Sequence, residues 1–321
     1  MPRSTNFDPR RASNGVAYGL LAAIIWGAWP VFSRLGVSQS LSAYDLTALR
    51  FGVSGLVLLP IVLRHGTAGL GWHRALVLAA GAGVPYVLIS ISGLSFAPAG
   101  HAGVITPSCM LMFSSFGGWW LLGDRPNRQR LCGMGLIVGG VALIGGQAFA
   151  GRAPGVWAGD LMFAAAGFLW AGYTVAARRW SVDPFQATAL VSVISMVLYV
   201  PGYLAFNPTR IIDAPISEVL FQGLFQGVFA AILALVAYTR AVEQLGAARG
   251  ALFAALVPVI ATLLAVPVLG EQPSMAEWLG VVTVTAGIIW ALSPGRTHAV
   301  RRANRFLPGN RRRRLSDSNL P

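Results

Sequence analysis

Ten stretches of this chain are each long and apolar enough to cross a lipid bilayer, at residues 16–35, 44–63, 75–95, 101–122, 131–149, 156–177, 186–206, 216–239, 247–269 and 276–294. A helix needs roughly 20 mostly apolar residues to span the hydrocarbon. Inside it, every backbone N–H and C=O must find its partner within the protein, which leaves helices or a closed barrel. Runs of this length predict an all-α integral membrane protein with ten transmembrane helices. Composition agrees: 55% of the 321 residues are hydrophobic, only 11% are charged, and mean hydropathy is +0.64. A soluble globule carries about a quarter of its residues charged. Two runs are interrupted by charge, the second by Arg50 and the sixth by Asp160. Pro30, Pro85, Pro107, Pro258 and Pro267 inside runs are no objection, because neighbouring helices can satisfy the freed backbone groups.

All 24 basic residues are arginine, so a Schiff-base lysine mechanism is excluded. With the N-terminus in the cytoplasm, every arginine falls on the inner side except Arg34, Arg152 and Arg210 outside and Arg50 within the membrane. That bias predicts a multi-pass protein of a bacterial-type plasma (inner) membrane with both termini cytoplasmic. Residues 1–14 form a polar, basic cytoplasmic segment, and the first run reads as an anchor because it is too long for a cleaved signal peptide. Residues 295–321, ending "RRRRLSDSNLP", read as a disordered cytoplasmic tail lying near anionic lipid, each Arg worth on the order of 1 kcal/mol there. No nucleic-acid partner is expected, because no aromatic residues interleave that charge. Cys109 and Cys132 lie in separate runs and imply neither a disulfide nor a metal site. No cofactor is expected.

The chain also repeats itself. "GDRPNRQRLCGMGLIVGG" (residues 123–140) lies without a gap over "GEQPSMAEWLGVVTVTAG" (270–287), matching Gly123, Asp124, Pro126, Gly133 and Gly140 with Gly270, Glu271, Pro273, Gly280 and Gly287. Upstream, "WGAWPVFSR" (26–34) lies over "WAGYTVAAR" (170–178) in the same order. Two halves follow, 15–149 and 150–294, each with five predicted spans. Five is odd, so the second half must enter the membrane from the opposite side, giving two inverted five-helix repeats. Such repeats suit alternating access, because one fold in two orientations can exchange conformations and open to either side in turn.

The doubled order of these motifs, with "LRF" at 49–51 and a "G[DE]xP" turn before a glycine-spaced last helix in each half, resembles the drug/metabolite transporter superfamily. Within it the chain resembles EamA-type transporters with two EamA repeats, over roughly residues 15–294. The resemblance implies a ten-helix bundle with a central path, exporting small metabolites such as amino acids and related compounds. Two departures are Asp124, where Glu is usual, and "LVS" at 190–192 in place of a second "LRF".

Several side chains are candidates for that path. Trp26 and Trp29 share a helix face, as do Trp170 and Tyr173, and with Tyr86 they could line it with aromatic surface; helix packing is the other use of such pairs. Ser90, Ser92, Thr106 and Ser108, and the pair Gln222 and Gln226, are polar groups at membrane depth, which normally face the bundle interior. They could bond a solute or join helix to helix. Arg50 could hold a carboxylate or pair with Asp45. His101 and Asp160 lie near span ends, where a solvated or headgroup-level placement is expected. Gly135 and Gly139, and Gly223 and Gly227, form two GxxxG spacings expected at close helix contacts.

An enzyme is not expected, since no HExxH, GxSxG or phosphate-binding loop occurs. The partners implied are a small-molecule metabolite and the bilayer. An uptake carrier for a different solute, a non-transporting scaffold and a homodimer all stay open.

Overall fold

A computed structural model describes residues 9–149, 155–206 and 209–293; the arginine-rich segment 295–321 lies outside them. Among the described residues the chain is built of helices: α1 (Pro9–Ser38), α2 (Ala43–His65), α3 (Trp72–Ala82), α4 (Val84–Gly93), α5 (Ala99–Leu122), α6 (Arg128–Phe149), α7 (Val156–Arg179) and α8 (Pro184–Phe206). The short α9 (Thr209–Asp213) precedes α10 (Ile216–Leu224), a π-helical stretch at Phe225–Leu233 and α11 (Ala234–Leu245). α12 (Ala247–Ala254), α13 (Val257–Leu269) and α14 (Met275–Leu292) complete the order.

Nine segments among the described residues are long and apolar enough to cross a membrane. The other sequence-predicted run is α5, 24 residues long, whose apolar character is diluted by His101, Ser108, Ser114, Ser115 and four glycines. Three predicted runs are interrupted. The run at 75–95 breaks at Gly83, between α3 and α4, with Pro85 just beyond. The run at 216–239 passes through the π-helical stretch, and the run at 247–269 is α12 followed by α13, which begins with Pro258 near its N-terminus.

The repeated "G[DE]xP" turn has a backbone cause. Gly123 (φ 73°) and Gly270 (φ 68°) end α5 and α13 in the left-handed region, and their N–H groups bond back to Trp119 and Val266 carbonyls. A residue with a Cβ is strained there, so glycine stops both helices at the same point.

The repeated glycine spacing has a packing cause. α6 and α14 run antiparallel in close contact, Gly133 against Gly287 and Gly140 against Gly280. A Cβ at Gly140 would lie 2.8 Å from the Gly280 carbonyl oxygen, and one at Gly287 would lie 2.8 Å from that of Gly133. Helices in lipid gain little from burying apolar surface, so close backbone approach is how they associate. The GxxxG expectation for this helix is corrected: Gly135 and Gly139 are exposed with nothing within 4 Å of a built Cβ, and the contact lies on the adjoining face. In the other pair, Gly227 is tight against Val53 of α2, whereas Gly223 makes ordinary contact.

The same exchange runs through the bundle. α2 and α8, second in each half, are antiparallel, with the Tyr199 hydroxyl donating to the Tyr44 carbonyl and Gly55 against Met196. α1 packs along α13 and α11 of the second half, and its counterpart α7 packs along α5 and the α3–α4 pair of the first.

Candidate functional site

Between the two halves lies a cavity of about 80 Å³. Trp26 (α1), Arg50 and Phe51 (α2) and Ala82 (α3) line it from the first half. Trp170 and Tyr173 (α7), Thr188, Val191 and Ser192 (α8), Ala230 and Ala231 (π stretch) and Leu235 (α11) line it from the second. Corresponding spans of each half thus supply the wall. Both third spans are irregular where they reach the cavity, at Gly83 beside Ala82 and in the π stretch around Ala230. Departures from regular α geometry of this kind recur at functional sites and at solute sites inside membranes.

An aromatic train borders the space. Trp29 stacks on Tyr86 (ring centroids 6.2 Å apart), Tyr86 lies 4.7 Å from Trp170, and Trp170 lies 5.4 Å from Tyr173. Trp26 packs on Tyr238 at 5.3 Å. All these predicted aromatic residues are half-buried, and the structure brings them together from three helices.

Arg50 lies over the Trp29 indole, 5.5 Å from the ring centroid. Its Nη1 is buried without a hydrogen-bond partner. The Asp45 pairing open to it in the sequence is not made. Asp45 Oδ1 accepts the Tyr203 hydroxyl (2.5 Å), and Oδ2 accepts the Ser42 N–H and hydroxyl (both 2.6 Å), closing the N-terminus of α2.

Gln222 and Gln226 are fully buried, and their bonds run from helix to helix. Gln226 Oε1 accepts Trp29 Nε1–H at 2.6 Å, and its Nε2 donates to Ser33 Oγ at 2.8 Å. Gln222 Nε2 donates to the Phe32 carbonyl at 2.8 Å. The pair ties the second half to α1 and holds Trp29, and through that ring it sets the surface under Arg50. Ser90, Thr106 and Ser108 are buried with unpartnered hydroxyls away from the cavity wall; Ser92 is only half-buried.

A second cavity, about 250 Å³, lies at the Arg34 end of the bundle and includes His101, Glu271, Glu277 and Thr262. The solvated placement expected for His101 is corrected. It is 6% exposed, with Nδ1 2.8 Å from Asp160 and Nε2 2.8 Å from Glu277, because three helices converge on it. Glu277 also accepts the Ser274 N–H at the start of α14. Next to it Glu271 accepts the N–H groups of Ala99 (2.7 Å) and Gly100 (3.3 Å), placing its charge at the N-terminus of α5, where the helix dipole favours it. No group of three or more metal-ligating side chains is disposed to hold an ion among the described residues.

Sequence reasoning missed Thr188 and Ser192, whose i, i+4 spacing puts two hydroxyls on one face of α8. It also missed Glu277, although the arginine bias had already placed it at the same membrane side as His101 and Asp160.

Sequence comparison supplies the deciding observation, a match to the EamA-like transporter family over residues 13–146 and again over 157–293. The chain belongs to the EamA-like transporter family. The aromatic amino acid exporter YddG of Ancylobacter novellus is 30% identical over 207 residues, which is 59% of this chain and 69% of the exporter. A transporter of Archaeoglobus fulgidus is 24% identical over 84% of this chain and 93% of its own length. A solved crystal structure covering 91% of this EamA-like chain, and 99% covered in return, superposes with a TM-score of 0.60 at 24% identity and shares its fold. This EamA-like transporter is therefore a multi-pass membrane protein acting on a small-molecule solute across a bilayer.

Proposed function

We propose that this transporter exports small metabolites, amino acids and related compounds, by alternating access across a bacterial-type inner membrane with both termini cytoplasmic. The observation that carries this reading is the cavity whose wall is drawn from corresponding spans of both halves and faced with aromatic rings. The similarity to an aromatic amino acid exporter supports a solute with an apolar, planar part. α5 is the tenth span in this reading, and residues 15–149 and 150–294 are the inverted halves. The antiparallel pairing of α6 with α14 and of α2 with α8 supports that inversion.

The test is the extracellular metabolite profile of cells expressing the chain, against empty vector and a W26A/W170A double variant at equal expression. Export predicts a solute that accumulates outside only with the intact protein. No accumulation of any solute class overturns export and favours uptake or a scaffold.

A further inference from the structure

We infer that Arg50 anchors an anionic group of the solute, and that the cavity favours a planar apolar carboxylate over the zwitterionic amino acid of the same shape. This rests on reading the cavity as the solute path. Among the described residues Arg50 is the one charged side chain lining it, and no acid among them pairs with its guanidinium. The acid on the same helix, Asp45, is taken by Tyr203 and Ser42. Glu218, at the start of α10, accepts from Ser40. Trp29 offers the guanidinium a ring face but no hydrogen-bond acceptor, and Nη1 stays unpartnered. A charge inside a membrane protein is normally paired, and a guanidinium fork matches a carboxylate with two parallel hydrogen bonds.

The rest of the wall decides between acid and amino acid. An ammonium in this cavity would meet the rings of Trp26, Trp170 and Tyr173 and the hydroxyls of Thr188 and Ser192, with no carboxylate facing it. Thr188 donates its hydroxyl proton to the Pro184 carbonyl, so its oxygen offers an ammonium a neutral acceptor and no countercharge. A zwitterion would therefore leave its positive end desolvated without a countercharge, which is costly. An aryl carboxylate pairs its only charge with Arg50 and lays its ring among the aromatic side chains, leaving nothing unpaired.

The experiment uses the full chain purified in detergent and reconstituted in liposomes, with 3-phenylpropanoate, L-phenylalanine and 2-phenylethylamine as probes. Binding is read from ligand-induced thermal stabilisation and transport from counterflow. The expected result is 3-phenylpropanoate bound at least ten-fold more tightly than phenylalanine, with phenylethylamine weakest. Arg50→Gln erases that preference, and Arg50→Lys keeps a weakened part of it, so the result stands even if the glutamine variant folds poorly. Equal or tighter binding of phenylalanine, a preference unchanged in Arg50→Gln, or no saturable binding of any probe overturns the inference. Counterflow of phenylalanine that ignores Arg50 leaves export standing and sinks the anchor. Arg50-dependent binding without counterflow does the reverse.

Discussion

Arg34, at the end of the first helix of the first half, is paired with Glu271 in the turn of the second half, Nε to Oε1 at 3.5 Å. The counterpart arginine of the second half, Arg178, reaches the counterpart acid of the first, Asp124, at 2.5 Å. Each half thus closes on the other, and the duplicated motif is a duplicated latch. The latches are unequal. Arg34 also donates to the Leu94 and Ala97 carbonyls and Glu271 caps α5, whereas Arg178 and Asp124 are 51% and 43% exposed.

From that asymmetry, Glu271→Ala should destabilise the detergent-purified protein by about 2–4 kcal/mol, because it removes the countercharge of a partly buried arginine and the acceptor of two helix-end N–H groups. Asp124→Ala should cost about 0–1 kcal/mol, the range for exposed pairs. Thermal unfolding of both variants checks the order, and equal losses would mean the two ends are held alike.

The α6–α14 contact gives a prediction independent of charge. Gly140→Val places a branched side chain against the Gly280 backbone and should cost about 1–3 kcal/mol by overpacking. Gly139→Ala, one residue away, meets open space and should be neutral within about 0.5 kcal/mol. A loss of stability at Gly139 would argue for a contact on that face.

That pair of glycines also marks how far the sequence could be read. The repeat and its register were legible because they are properties of order along the chain. The packing face was not, since Gly133, Gly135, Gly139 and Gly140 all sit in one run and only the rotation of α6 against α14 chooses among them. The aromatic train was legible from the i, i+3 pairs, but Tyr86 joins it by a tertiary contact. Gln222 and Gln226 showed their depth in the sequence and not their direction, because a carboxamide facing Ser33 and one facing a solute look identical in one dimension.

Gln226 should therefore act through position. Gln226→Leu removes the acceptor of Trp29 Nε1–H and the donor to Ser33 inside a buried network, at about 1–3 kcal/mol of stability. Freed from its bond, Trp29 no longer fixes the surface under Arg50, so solute affinity should fall while the turnover at saturation changes little. A counterflow series over solute concentration separates the two, and a fall in turnover alone would place Gln226 in the conformational step instead.

The strongest difference between the two ends is at His101. It bridges Asp160 and Glu277 from α7 and α14, so one imidazole joins three helices at the Arg34 end. At the Arg178 end, the repeat puts Arg130 in the place of Glu277, and that arginine stands within electrostatic reach of both Arg178 and Asp124. One end is thus held by a histidine between two acids, and the other carries one acid with two arginines. His101→Ala leaves both carboxylates without their shared donor and should cost about 2–4 kcal/mol. It should also raise the accessibility of the Arg34 end, read by thiol labelling of a cysteine introduced at Thr262 in the adjoining cavity. Asp160→Asn, which keeps a side-chain acceptor for the imidazole, should lose less than half as much stability. If His101→Ala unfolds at the wild-type temperature with unchanged labelling, the bridge does not hold that end closed.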